Sequence, residues 1–162
     1  MDDRAVVALQ IGREPRAFRR VAVPCPFGLP AVTEQEPFDA AGRPFPTTYY
    51  LTCPHLVAAV SRLEAAGGVE RWTGAAETDP ALADSLRGAN EEQRHLRREL
   101  AGDRNDPSLD LGVGGAGRHG SLKCLHAHVA FALARPGYEL GERGFAEVTD
   151  PWPADRCCTE PG

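Results

Sequence analysis

Apolar residues recur at helical spacing in four segments of this chain. The pattern predicts helices over residues 3–11, 54–67, 80–102 and 121–134. The second and third begin with a proline directly after a residue that can cap a helix, and each segment ends at or near a glycine. These four helices make up the helical part of the predicted fold.

Two further segments carry the signals of strands. Residues 18–23 alternate basic and apolar side chains, as a half-buried strand does, and Pro24 closes the segment. Residues 47–52 combine two tyrosines with β-branched threonines, and we expect this strand to be central to a small sheet. The prolines and glycines of residues 27–45 predict little regular structure. The sequence therefore predicts an α+β fold in which a small sheet packs against three or four helices, with many loops.

The length and composition are those of one globular domain. A chain of 162 residues can bury a core of its own, so we expect a single domain over residues 1–162 with less ordered termini. Apolar residues make up 42% of the chain and charged residues 25%, which is ordinary for a globular protein. The 17 glycines and 14 prolines account for the predicted loops.

The net charge and hydropathy of the chain limit the classes of partner that we expect it to bind. A net charge of −5 provides no general attraction for nucleic acid or anionic lipid. Apolar runs stay shorter than a membrane span, and the acidic start lacks the pattern of a signal peptide. We therefore expect a cytoplasmic protein with no nucleic-acid partner and no membrane span. In that reducing compartment the five cysteines are expected to be free thiols, metal ligands or catalytic groups.

Several motifs spread along the chain resemble one bacterial family. They are Gln10-Ile-Gly-Arg-Glu-Pro-Arg16, Cys25-Pro-Phe-Gly-Leu-Pro30, Pro44-Phe-Pro-Thr-Thr-Tyr-Tyr-Leu-Thr-Cys-Pro54, Leu63-Glu64 and Lys123-Cys-Leu-His126. In order and spacing they resemble the domain-of-unknown-function family 501, which is found mainly in actinobacteria. The resemblance covers nearly the whole chain and implies no established activity.

Three of these motifs each place one cysteine at the edge of a predicted element. Cys25, Cys53 and Cys124 predict a zinc site if the fold brings them together, although no pair has the CxxC spacing and buried free thiols are the alternative. A fourth ligand is then required. Regular helix geometry favours His128, four residues after Cys124, whereas the resemblance favours His126.

Two other arrangements remain open for this ligand. If the chain is not yet helical at Cys124, both Cys124 and His126 can turn inward, and Cys157 in the tail is a further candidate. We take Cys25, Cys53, Cys124 and His126 as the predicted metal site and zinc as its cofactor.

The same thiols permit covalent catalysis. Cys53 begins a helix, and Cys124 lies beside Lys123 and His126, surroundings typical of cysteine nucleophiles. Glu64 is the carboxylate that we nominate to orient a base. No hydrolase signature surrounds either thiol.

The glycine-rich segment of residues 112–120 predicts a site for a small anion. Backbone N–H groups at Gly114 and Gly115 would act together with the side chains of Arg118 and Lys123, at the start of the last helix. The segment lacks the order of a Walker loop and of a dinucleotide fingerprint, so phosphate or a carboxylate is the expected ligand. The alternative is a flexible loop whose glycines form turns.

Together these features predict an uncharacterised bacterial protein with a Cys/His metal site or a small-anion site, at which catalysis is an open possibility. The competing hypothesis is a non-enzymatic interaction protein whose cysteines and aromatic residues are structural.

Overall fold

A three-stranded antiparallel sheet, six α-helices and two short 3-10 helices, Pro107–Asp110 and Val113–Gly115, form the part of the chain that the computed structural model describes, residues 2–117 and 122–155. The strands are β1 (Phe18–Pro24), β2 (Pro30–Gln35) and β3 (Tyr49–Leu51). The helices are α1 (Asp3–Ile11), α2 (Pro54–Ala65), α3 (Gly68–Thr78), α4 (Pro80–Ala101), α5 (Leu125–Ala134) and α6 (Glu139–Ala146). The predicted α+β class is confirmed, with more helices than the three or four expected. None of these helices has both the length and the apolar character needed to cross a membrane.

The central strand of the sheet is β2, which pairs with β1 on one side and with β3 on the other. All six residues of β2 are buried, so it lacks the alternation of a half-buried strand. Its polar residues have partners, since Gln35 donates a hydrogen bond of 2.6 Å to the hydroxyl of Thr33 and Glu34 pairs with Arg19 and Arg20 of β1. The prediction of little regular structure in this region was therefore wrong. The expectation that β3 is central was also wrong, because β3 lies at an edge of the described sheet.

The predicted helices α1, α2 and α4 lie close to their expected bounds, whereas α5 is shorter than expected. It begins at Leu125 and not at residue 121, because Cys124 has an extended backbone with φ −154° and ψ 158°. The helices α3 and α6 were not predicted. Each carries two glycines, which weaken the helical signal of a short segment.

The centre of the molecule is α5, which packs against the sheet, α2 and α6. Seven of its ten residues are buried, so the helix is apolar on nearly every side. Phe131 makes edge-to-face contacts with Tyr49 of β3 and with Tyr138, which precedes α6, at centroid distances of 5.5 and 5.8 Å. These rings join the sheet and α6 through α5.

The long helix α4 holds residues 111–113, at the start of the glycine-rich segment, in place. The side-chain amide of Gln93, 1% exposed, donates to the carbonyl groups of Leu111 and Gly112. Asn90 accepts a hydrogen bond of 2.9 Å from the N–H of Val113. These amide groups supply side-chain partners to loop backbone beyond the bonds of the short 3-10 helix that begins at Val113, and they fix residues 111–113.

We predict that Gly141→Ala destabilises the protein, because Gly141 lets α6 approach α5 closely. A Cβ atom here would lie 2.7 Å from the backbone oxygen of His128 and 2.7 Å from the Cβ of Ala132. The expected loss in the free energy of unfolding is about 1–3 kcal/mol, measured by urea denaturation. Gly144→Ala in the same helix is the control. A Cβ there meets nothing within 4 Å, so this change should be neutral or stabilise by up to about 1 kcal/mol. Equal stability of the two variants would contradict the close packing.

Candidate metal centre

One face of α2 presents oxygen atoms to the start of α5. Val57, Ser61 and Glu64 recur at spacings of four and three residues, so they share this face. Opposite them lies His126 in the first turn of α5. Its Nδ1 lies 3.0 Å from Glu64 Oε1, and its Nε2 lies 3.2 Å from the carbonyl oxygen of Val57 and 3.1 Å from the hydroxyl of Ser61. Contacts at both nitrogens therefore fix the orientation of the imidazole.

The contacts of His126 also determine where its protons lie. The carbonyl of Val57 can only accept, so Nε2 donates to it. Nδ1 faces a carboxylate and donates to it when the ring is doubly protonated. The hydrogen bond with Cys124 and the negative charge of Glu64 raise the pKa of His126 above its usual 6.5, against the opposite effect of burial.

Glu64 also completes the N-terminus of α5. Cys124 is the N-cap residue, but its side chain makes no capping hydrogen bond. The N–H of Leu125 instead donates to Glu64 Oε1 at 2.5 Å. A carboxylate from the neighbouring helix therefore acts as the cap and lies at the positive end of the α5 dipole.

Cys124 joins Glu64 and His126 in a group of three potential ligands. The Cys124 sulfur, a His126 ring nitrogen and a Glu64 carboxylate oxygen all lie within 4.8 Å of one another. Residues two apart on a regular helix point about 200° away from each other. Because Cys124 is extended, this restriction does not apply and its side chain converges with that of His126. Sulfur, nitrogen and oxygen donors of these kinds are the ligands of zinc.

The described structure does not bring the predicted set of Cys25, Cys53, Cys124 and His126 together as one group of four. Cys25 begins the turn between β1 and β2, and Cys53 is the N-cap residue of α2. Both are buried free thiols in the hydrophobic core, where a cysteine packs as a small apolar side chain. Neither belongs to the three-ligand group.

The histidine that helix geometry favoured, His128, is a buried core residue. It is 2% exposed, and its Nδ1 lies 2.7 Å from the hydroxyl of Tyr138. Burial lowers the pKa of His128 to about 4, so the ring is neutral at physiological pH. The other alternative ligand, Cys157, lies outside the described residues.

Cys124 and His126 line a cleft of about 290 Å³, which we call the α5 cleft. Its remaining walls come from β3 and the residues just before it, from α2 and α5, and from the glycine-rich segment: Thr47, Tyr49, Tyr50, Leu51, Val57, Gly114 and Ala127. The apolar lining with a few polar groups is typical of sites for small molecules. The three-ligand group therefore lies beside a space that a small molecule can enter.

The described residues that were predicted to bind an anion do not all line the same cleft. Gly114 lines the α5 cleft, and both it and Gly115 have left-handed backbones, with φ of 70° and 74°. Lys123 is exposed and precedes α5, so it does not lie in the first helical turn as expected. Arg118 lies outside the described residues. Among the described candidates, the cleft is lined by Gly114 and not by Lys123.

Comparison with known proteins identifies the family. Residues 21–143 match the family described as Protein of unknown function (DUF501). The chain belongs to this family. No curated protein and no solved structure matches it. The matched region of this DUF501 member includes Glu64, Cys124 and His126.

We predict that the two histidines of α5 titrate on opposite sides of pH 6.5. His126 should show a pKa above 6.5, and His128 a pKa of about 4. Nitrogen NMR of the imidazole rings measures both values. Glu64→Gln removes a negative charge and should lower the pKa of His126 while leaving that of His128 unchanged. A pKa below 6.5 for His126 in the wild-type protein would contradict the described contacts.

We also predict opposite effects of the two residues on the pH dependence of stability. The pKa of His128 is lower in the folded state, so its contribution is present above pH 6.5 and falls by about 3 kcal/mol as the pH drops toward 4. The pKa of His126 is higher in the folded state, so its contribution is present below pH 6.5 and is lost as the pH rises through the raised value. Urea unfolding between pH 4 and pH 8 measures both contributions. His128→Gln should reduce the fall in the free energy of unfolding between pH 6.5 and pH 4. If His128→Gln lost as much stability between pH 6.5 and pH 4 as the wild-type protein does, the result would contradict a neutral buried His128.

Proposed function

We propose that this member of the DUF501 family binds zinc through Glu64, Cys124 and His126. The observation that supports this most directly is the approach of their three ligand atoms to within 4.8 Å. Zinc binds sulfur at about 2.3 Å and nitrogen or oxygen at about 2.0–2.2 Å, which separates neighbouring ligands of a tetrahedral ion by roughly 3.3–3.8 Å. The Nδ1 of His126 and Oε1 of Glu64, 3.0 Å apart, are already slightly closer than this, so small side-chain adjustments would suffice to place the three ligands around an ion.

The surroundings of His126 support binding through Nδ1. Histidines that bind metals usually donate the other ring N–H to a carbonyl or a carboxylate, which fixes the tautomer. Nε2 of His126 has this partner in the carbonyl of Val57. A metal at Nδ1 would take the place of a proton, so we expect zinc binding to release protons and to weaken at acid pH.

Three protein ligands would leave one position of a tetrahedral ion free. Structural zinc sites usually have four protein ligands, whereas catalytic sites keep one position for water or substrate. Because Cys124 and His126 line the α5 cleft, we propose that the free position faces this cleft. Water or a small anion would be the fourth ligand, and zinc-bound water would supply any catalysis. This replaces the proposal of an anion site formed by the glycine-rich segment and Lys123.

Zinc binding would require Cys124 as a thiolate and not in a disulfide. Cys25, Cys53 and Cys124 are free thiols in the described structure. This supports our proposal of a cytoplasmic location, where thiols stay reduced.

The competing proposal is a non-enzymatic interaction protein. It is supported by the core positions of Cys25, Cys53, Tyr49 and Tyr138, which indicate a structural use of thiols and aromatic rings. In this proposal the carboxylate of Glu64 serves only as the cap of α5. Metal analysis separates the two proposals.

We predict that the metal-free protein binds about one equivalent of Co²⁺, used as a spectroscopic substitute for zinc. Binding should produce a thiolate-to-cobalt charge-transfer band in the near ultraviolet and the strong visible bands of a tetrahedral ion, and Zn²⁺ should displace the cobalt. Cys124→Ser should remove the charge-transfer band. It should weaken binding more than about 100-fold, because loss of a group that merely orients a ligand already costs about 10–100-fold. Glu64→Gln and His126→Gln should weaken binding in the same direction.

The matched controls are Cys25→Ala and Cys53→Ala, each of which removes a buried thiol outside the group. Both should retain the charge-transfer band. A band that persists in Cys124→Ser and disappears in a control would overturn the ligand assignment. Folded wild-type protein that binds neither metal would favour the interaction-protein proposal.

A further inference from the structure

A second cleft lies on the face of the sheet opposite to α5. Thr33 pairs with Tyr50 in the sheet, and neighbouring side chains of a strand point to opposite faces. Tyr49 contacts Phe131 of α5, so the side chain of Tyr50 is directed to the other face, although Tyr50 also borders the α5 cleft. There it lines a cleft of about 260 Å³ between α1, the loop that follows α1, and the sheet. We call this space the α1 cleft.

The α1 cleft has largely apolar walls, a partly polar base and a rim that carries two arginines and one glutamate. Its base is formed by four buried residues, Val7, Ala17, Thr33 and Gln35. Its walls are formed by three partly exposed residues, Ile11, Phe45 and Tyr50. Arg13, Glu14 and Arg16 lie at the rim. An apolar cavity of about 150 Å³ can accept benzene, so this volume is enough for an aromatic ring and a short side arm.

One cation at the rim has no acidic partner among the described residues. Glu14 pairs with Arg4, and Arg16 pairs with Asp39 at 3.1 Å. The polar contact of Arg13 is with the hydroxyl of Tyr50, at 3.4 Å. An arginine and a tyrosine hydroxyl therefore converge at the mouth of an apolar cleft, and both can donate to the same anion.

The walls beside these donors are held in place by other contacts. The guanidinium of Arg16 lies over the ring of Phe45, 5.3 Å from its centroid. Gly12 ends α1 with φ +69°, and the buried Pro15 anchors the turn that carries Arg13. The rim and the aromatic wall are thus positioned by the fold before any ligand arrives.

The base of the cleft contains a hydrogen-bond acceptor. Gln35 donates from Nε2 to the hydroxyl of Thr33 at 2.6 Å. Its amide oxygen accepts no hydrogen bond from the described residues, so it can accept one from a hydroxyl or an N–H group of a ligand. The cleft therefore combines donors at its mouth, apolar walls and an acceptor at its base.

We propose that the α1 cleft binds a small carboxylic acid with an aromatic or branched apolar body. The carboxylate binds the guanidinium of Arg13 and accepts a hydrogen bond from the hydroxyl of Tyr50. The apolar body lies against Phe45 and the buried side chains of Val7 and Ala17. The three proposed zinc ligands do not line this cleft, so its occupancy does not require a metal, although Tyr50 borders both clefts.

Proton–nitrogen NMR titration of the full chain with phenylacetate and 4-hydroxyphenylacetate tests this proposal. Both should shift the resonances of Ala17, Thr33 and Gln35 with a Kd of about 1 mM or lower. Neutral phenylacetamide should bind about tenfold more weakly, because it cannot form a charge-assisted hydrogen bond. Arg13→Gln should weaken phenylacetate binding about tenfold. Arg87→Gln changes an exposed arginine of α4 that pairs with Asp84, and it should leave binding unchanged.

Two further variants separate this proposal from the others. Ala17→Leu fills the base of the cleft and should abolish binding, with a thermal scan to show that the variant is folded. Cys124→Ser should bind phenylacetate as the wild-type protein does, so failure of the zinc proposal leaves this result unaffected. Equal binding by Arg13→Gln and wild type, or tighter binding of inorganic phosphate than of either acid, would overturn the proposal. So would the absence of shifts for both acids.

Discussion

The burial of α5 is the constraint on which the rest of the structure depends. The first N–H groups of a helix have no partner within it, and α5 is enclosed by the sheet, α2 and α6 over most of its length, so an acceptor from another element satisfies one of them. Glu64 of α2 supplies it through the N–H of Leu125. This contact places a carboxylate at the N-terminus of α5, beside the side chains of Cys124 and His126. The capping requirement and the candidate metal group are therefore two results of the same packing.

Much of the helical architecture could be predicted because its signals are local. Pro54 and Pro80 each follow a residue that can cap a helix, and both helices begin there. The strand β2 has no comparable signal, since it begins with Pro30 and is buried at every position. The edge position of β3 follows from its pairing with β2, which depends on contacts between distant residues. Local sequence patterns carry no information about that order.

The candidate site was predictable in part for a similar reason. Cys124 and His126 share one short motif, and the extended backbone at Cys124 lets both side chains turn the same way. Cys25 and Cys53 occupy similar motif positions, but what they share with Cys124 is a location at the edge of an element, which does not imply proximity. Glu64 was nominated as an acid and not as a ligand. The spacing of Val57, Ser61 and Glu64 along one face of α2 was the available signal.

The separation of Glu64 from Cys124 along the chain also orders events during synthesis. The two residues lie 60 positions apart. At about 5–20 residues per second, a ribosome would add Cys124 roughly 3–12 s after Glu64. Throughout that interval the nascent chain contains β3 and α2 but lacks the helix that packs between them. An ion bound by this group would therefore act late in folding, by holding α5 against β3 and α2, which are made before it, while α6 is added after it.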